Sequence, residues 1–411
     1  MRCTCAQENP SSADRCERCG RPLRSGVRWA ALLDVAAAVG LVVALAVVYW
    51  WDKEYPAKES GAPRLRLAVT PPEYDDMGKL LATLGAGYPF TSISYDDLLQ
   101  PGRLSSFDVV FLTCGGVPRH WVGRRLGESG RDAAGIFELR RDIQGALCES
   151  LREFVSRGGT LYVSDLQFQL LERAFPEFTD RRLIAEGDVQ TVRAEVVDRG
   201  LRRRLGETIP LHFDKPAWRP AAFSAPDLIV YLRGEFETTS GQRTSAPLLV
   251  QWPFHEGTII FTAFHNERQN TETERELLRY LVFASVTARE GARVHRTLVR
   301  GGFSPAERNL LSASAGSQPV TQQYECRGAG PLQFVLGFQK HRARLRLTVE
   351  GPDGTRREKT GEETFEIEIP EAAQGAWRYT IAPLEVPYPH FPFTLTIGER
   401  GRPQLGSAKD P

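Results

Sequence analysis

The chain has 411 residues, a formal net charge of +1 and 41% hydrophobic residues. That length implies more than one domain, and the apolar content suffices for ordinary cores. A balance this near neutral excludes a nucleic-acid-binding protein as a whole, which needs a basic field, and seven cysteines are too few for a disulfide scaffold.

Four of those cysteines fall within the first twenty residues. Cys3 and Cys5 form one close pair; Cys16 and Cys19 form a C-x-x-C pair followed by Gly20, which suits a tight turn. Two such pairs across a short polar loop can surround one tetrahedral zinc ion. Segment 1–24 has almost no apolar residues, so metal binding would supply its folding energy. A redox dithiol or an adventitious disulfide pair is the competing reading. The segment resembles the short zinc ribbons at the head of many bacterial membrane proteins, with C-x-C in place of C-x-x-C in the first pair. The resemblance implies a structural or protein-binding module.

Residues 29–51 read WAALLDVAAAVGLVVALAVVYWW. About twenty apolar residues are what a helix needs to cross a bilayer. Trp29 at one end and Tyr49, Trp50 and Trp51 at the other suit the interfacial belts. Asp34 is the single charge, about one turn inside. Arg15, Arg18, Arg21, Arg24 and Arg28 precede the span, whereas the following stretch mixes both signs. The positive-inside rule therefore puts the N-terminus in the cytoplasm and everything after Trp51 outside. This predicts a single-pass inner-membrane protein. A signal peptide cleaved after the A-x-A-like Ala44 and Ala46 is the alternative, and it would leave an apolar stub.

From Arg64 strand and helix signals alternate. RLRLAVT, SISYD, DVVFLT and TLYVS read as strands; Met77, Leu80, Leu81 and Leu84 mark one helix face. Ile143, Leu147, Leu151, Phe154 and Val155 mark another, ended by Gly158 and Gly159. DLIVYL, PLLVQW and GTIIFTAF are later strands. A final helix is expected from Glu272 to Val286, with capping-box spacing at Thr271 and Glu274. The pattern predicts an α/β, Rossmann-like, mostly parallel sheet over 64–287, whose ligands bind beyond the carboxyl ends of the strands. Cys114-Gly115-Gly116, Asp165 and His265-Asn266-Glu267 stand at three such ends.

This order resembles the class I glutamine amidotransferase superfamily, particularly its degenerate bacterial branches. LTCGGVP matches the Gly-Gly loop whose amides help form the oxyanion hole, and Phe264, His265, Asn266 and Glu267 match the His-x-Glu strand end. Where the family carries its nucleophilic cysteine, this chain reads Val163, Ser164, Asp165, Leu166 and Gln167. Strand counting places Asp165 at the nucleophile, and a carboxylate cannot form the thioester that amide transfer requires. Two readings stay open: a non-catalytic binding or scaffold domain with Cys114, Gly115, Gly116, Asp165, His265 and Glu267 in its cleft, or a hydrolase using Cys114, His265 and Glu267. They differ in whether the Cys114 sulfur reaches His265. The partner is a protein or small ligand.

Cys148 patterns as core, and pairing with Cys114 stays open. Arg124 and Arg125, and Arg202, Arg203 and Arg204, read as solvated faces rather than an anion site. The long loop from Val117 to Gly135 offers His120 and Trp121 to whatever enters the cleft.

Residues 288–320, with SASAGSQP, have a linker composition. Over 321–400 the pattern is all strand, with alternation through Arg344–Val349 and turns at Gly351–Gly354 and Gly375. This predicts a β-sandwich. It resembles the pre-peptidase-type sandwiches of secreted bacterial proteins, which implies a binding or stabilising module. Asp353 alone does not make a calcium site.

Overall fold

A computed structural model of the chain describes residues 2–23, 65–85, 87–125, 137–179, 185–269, 271–327, 330–339 and 343–400. The expected membrane span at 29–51 lies outside them. Among the described residues no helix is long and apolar enough to cross a membrane. The chain divides into two compact units, Met1–Ala62 and Pro63–Pro411.

In the first unit each cysteine pair sits on its own tight turn. The Cys3 amide donates to the Gln7 carbonyl at 3.0 Å, and the Cys16 amide to the Arg21 carbonyl at 2.8 Å. Each turn reverses through a left-handed residue directly after the pair, Ala6 with φ 66° and Gly20 with φ 71°. The C-x-C pair thus makes the same kind of turn as the C-x-x-C pair.

The second unit opens with β1 (Leu67–Val69), α1 (Met77–Thr83), β2 (Phe90–Ser92), β3 (Val109–Leu112) and a ribbon of β4 (Val122–Arg125) and β5 (Phe137–Leu139). There follow α2 (Arg141–Ser156), β6 (Thr160–Ser164), α3 (Phe168–Ala174), β7 (Gln190–Val196), α4 (Arg199–Leu205), β8 (Thr208–Phe213), β9 (Ile229–Glu237), β10 (Arg243–Phe254), β11 (Gly257–Thr262) and α5 (Glu272–Arg300). One nine-stranded sheet has the order β2-β1-β3-β6-β11-β10-β9-β7-β8. Strands β2, β1, β3, β6 and β11 are parallel; β10, β9, β7 and β8 continue antiparallel. The expectation of a mostly parallel sheet therefore holds for one half only. The difference is written in the side chains. Strands β3, β6 and β11 are buried along their whole length, as covering on both faces requires, whereas β7 alternates buried and exposed.

Helix α2 buries Leu147, Leu151, Phe154 and Val155 against the sheet, and Gly158 with φ 100° reverses the chain into β6. Helix α5 carries the expected capping box at Thr271 and Glu274 but runs 29 residues to Arg300. The boundary expected at 287 falls inside it. Its first half, including Leu277, Leu281 and Phe283, belongs to the core of the large sheet. Its second half places Val294 and Leu298 against Phe303 and Val335. A Cβ on Gly337 would lie 2.4 Å from Val294, so the closeness of this seam depends on that glycine.

The all-β part begins earlier than expected. Strand β12 (Phe303–Ala313) lies in the expected linker and pairs along its length with β19 (Phe391–Arg400). The SASAGSQP run is the turn into β13 (Val320–Cys326), followed by β14 (Gly330–Gly337), β15 (Arg344–Glu350), β16 (Arg356–Gly361), β17 (Phe365–Ala372) and β18 (Gly375–Glu385). Two four-stranded antiparallel sheets, β12-β19-β14-β17 and β13-β18-β15-β16, enclose Leu345, Leu347, Val349, Trp377, Phe393 and Leu395. The inward alternation of β15 is as the sequence implies.

Candidate functional site

Register brings three distant residues together. Leu112 of β3 pairs with Val163 of β6, and Ser164 of β6 pairs with Thr262 of β11. Cys114, Asp165 and His265 follow those strand ends with β6 in the middle, so their side chains meet above it. The Cys114 amide donates to Ser164 Oγ at 2.8 Å, tying the β3 and β6 turns. Asp165 has φ 37°, a left-handed conformation uncommon for a residue with a side chain. The chain therefore turns sharply just after β6 without a glycine, and an aspartate stands on that turn.

His265 Nε2 lies 3.1 Å from Cys114 Sγ and 3.1 Å from Asp165 Oδ2; Sγ and Oδ2 are 3.7 Å apart. On the other side of the ring Nδ1 is 2.8 Å from Asp214 Oδ1, and Arg268 Nε holds the second Asp214 oxygen at 2.9 Å. Cys114, Asp165 and His265 are 0%, 3% and 4% exposed, so water does not weaken these contacts.

The electrostatics follow from that burial. Desolvation first, then the Asp165 charge, push the Cys114 thiol far above its ordinary range. Desolvation works to lower His265, but the hydrogen bond and charge of Asp165, with Asp214, raise it overall. Desolvation would raise Asp214, yet His265 and Arg268 hold its carboxyl low. An ionised Asp214 only accepts, so Nδ1 carries a proton. Nε2 then faces a carboxylate and a thiol that keeps its own proton.

The Gly115-Gly116 loop has its Gly116 amide and Gly115 carbonyl already engaged. The Gly116 amide donates to the Glu73 carboxylate, and Gln167 Nε2 donates to the Gly115 carbonyl at 2.8 Å. Asp75, 1% exposed, accepts from the Asn266 backbone and side-chain amides at 3.1 and 2.8 Å. The Glu267 side chain lies outside the described ones; Asp214, at the end of β8, is the carboxylate on His265. Strand counting misses it because β8 is at the far edge of the sheet. Its signal is the polar HFDK run closing a strand. Trp121, expected near the cleft mouth, is fully buried and donates to Asp96 at 2.8 Å, with His120 on the same carboxylate. A cavity lined by Arg66, Asp108, Glu153, Arg157 and Arg289 lies at the opposite ends of β3 and β6, away from these groups.

The arginines of α4 are partly solvated, but each is held by a partner. Arg203 binds Glu307 of β12 and donates to Asn309 Oδ1 at 2.9 Å; Arg204 meets Glu276 at 3.2 Å; Arg202 donates to the Val196 carbonyl at 2.7 Å. Arg203 ties the α/β part to the sandwich, and the other two brace α4 within it. Cys148 donates to the Arg173 carbonyl at 3.1 Å, Cys326 is in the sandwich core, and neither is in a disulfide.

In the first unit the four knuckle sulfurs lie within 4.8 Å of one another. Cys3–Cys19 and Cys5–Cys16 separations are 3.6 and 3.5 Å, near the roughly 3.8 Å edge of a tetrahedral zinc–thiolate centre. Burial opposes ionisation of Cys16, but the Cys19 and Arg18 amides bring its thiol down to about 6. The four cysteines can hold a metal ion.

No family model and no curated protein matches the chain. Among solved structures it is similar to a GMP synthase subunit protein from Thermoplasma acidophilum, at 13% identity over 56% of this chain and 98% of that one, with TM-score 0.35. It is similar to a glutamine amidotransferase from Thermotoga maritima at 12% identity, over 58% and 94% of the two chains, with TM-score 0.32. A third, PurLQS from Thermotoga maritima, is 13% identical over 53% and 99%, with TM-score 0.30. At these identities and TM-scores the likeness carries nothing about activity.

Proposed function

We propose that this chain is a membrane-anchored binding protein whose α/β domain keeps an amidotransferase-like framework without amide-transfer chemistry. The observation that carries this reading is Asp165 on the strained turn, its carboxylate 3.1 Å from the Nε2 that a nucleophile would need as its base. A thioester needs a thiolate on that turn. Glu73 on the Gly116 amide adds to the argument, because a donor already satisfied by the protein's own carboxylate is not poised for a developing oxyanion.

The hydrolase reading draws on the 3.1 Å between Cys114 Sγ and His265 Nε2. Against it, the thiol is fully buried, its acidity is suppressed by burial and by Asp165, and Asp165 shares the same ring nitrogen. A reactive cysteine needs an electropositive and accessible setting. The knuckle of Cys3, Cys5, Cys16 and Cys19 holds zinc in the cytoplasm, the span at 29–51 crosses the inner membrane, and the α/β domain and sandwich lie outside, facing a protein or small-ligand partner.

The test is a turnover screen of the full chain with glutamine, simple amides and esters. The expected result is no turnover above buffer. Robust turnover abolished by Cys114→Ser overturns the binding reading in favour of the hydrolase.

A further inference from the structure

The three groups that make a poor nucleophilic site make a good set of metal donors. A tetrahedral zinc ion bound at about 2.3 Å to sulfur and about 2.0 Å to nitrogen and oxygen sets its ligand atoms about 3.3–3.5 Å apart. Cys114 Sγ, Asp165 Oδ2 and His265 Nε2 form a triangle with edges of 3.1, 3.1 and 3.7 Å, on both sides of that range. All three atoms lie within 4.8 Å of one another. We propose that Cys114, Asp165 and His265 bind a divalent cation of the zinc type, at a site distinct from the cysteine knuckle. The inference rests on reading this cluster as a binding site rather than a nucleophilic one.

The surrounding residues do what supporting groups of a metal site do. Asp214 accepts the Nδ1 proton of His265 at 2.8 Å, which aims the Nε2 lone pair into the triangle. The Arg219 amide lies 3.4 Å from Asp165 Oδ1, while Oδ2 faces His265 and Cys114 in the triangle. The three donors follow three adjacent hydrogen-bonded strands, so their spacing is set by the sheet. Binding releases to solvent the Cys114 thiol proton and any proton on His265 Nε2, so that the thiolate and the neutral imidazole are the ligands. A mixed thiolate, imidazole and carboxylate set suits zinc, and three protein donors leave a fourth position for water or a ligand.

The test uses full-length protein in detergent, with Cys16→Ser and Cys19→Ser introduced together to remove the knuckle centre. Metal analysis should find two zinc ions per wild-type chain, one in that variant, and none when Asp165→Asn is added. Cobalt titration of the knuckle variant should give visible ligand-field bands with thiolate-to-cobalt charge transfer. Cys114→Ser should remove the charge-transfer band, and Asp214→Asn should weaken cobalt binding about 10–100-fold. The cobalt spectrum of the knuckle variant reads the intact site, so a substitution that fails to fold does not rescue the idea. No cobalt bands there, or bound metal indifferent to both Asp165→Asn and Cys114→Ser (an adventitious ion only), overturns the proposal. No metal together with no turnover removes this site and leaves the binding reading standing; amide turnover lost on Cys114→Ser removes both.

Discussion

Glu290 on α5 is 7% exposed, and its Oε2 accepts no hydrogen bond among the described residues. Burial is the leading cause that pushes its carboxyl up from 4.5 to about 7, against the partial opposition of Arg293 and Arg289. At about 1.4 kcal/mol per pKa unit, that rise makes the protonated form worth roughly 3 kcal/mol to the folded state. The folded state binds this proton more tightly, so the contribution is complete below 4.5 and is lost as pH rises through about 7. Between about pH 5 and pH 8 the loss amounts to roughly 2–3 kcal/mol. Glu290→Gln keeps the shape and removes the ionisation. Urea unfolding, followed by the fluorescence of the buried tryptophans at both pH values, measures the difference. Wild type should lose roughly 2–3 kcal/mol more than the variant on going from the lower to the higher pH, and the variant should be the more stable at the higher. Parallel pH dependences in the two proteins would refute the reasoning.

Cys16→Ser with Cys19→Ser should cost the knuckle its metal, read as one zinc fewer per chain by elemental analysis. Arg203→Ala leaves the Glu307 carboxylate, 6% exposed, without its cation; a loss of about 3–5 kcal/mol is expected by denaturant titration, reduced to the extent that the half-exposed arginine was screened. Thr271→Ala removes the cap that accepts from the Glu274 amide, and should cost about 1 kcal/mol in the same assay. A reporter fused after Pro411 should be active only outside the cytoplasm, and protease added to spheroplasts should digest the large domains and spare the knuckle.

What the sequence revealed, it revealed through burial. DVVFLT and TLYVS are apolar on both faces, so they read as central strands, and counting from them puts Asp165 on the turn after β6. The Arg344–Val349 alternation marks a sheet with one wet face in the same way. Asp214 is hidden because it reaches His265 from a strand at the other edge of the sheet, 51 residues away in sequence. Glu73 is hidden because a carboxylate that fills a glycine loop carries no local pattern. The sandwich boundary is misplaced because a hairpin turn and a linker share a composition: Ser314 and Ser317 close a turn between two long strands. Pairing partners, which local chemistry does not encode, separate the two cases.

Helix α5 belongs to two cores at once. At about 1.5 Å per residue its 29 residues form a rod of roughly 43 Å, one end beneath the sheet and the other against β14. The sandwich is therefore not a bead on a string. Cutting the chain at residue 287 would break this helix in mid-run and part Arg203 from Glu307, so residue 287 is not a natural boundary. A load applied to the sandwich travels along a stiff beam that begins at Glu272, a short loop after His265 and the cluster it forms with Cys114 and Asp165.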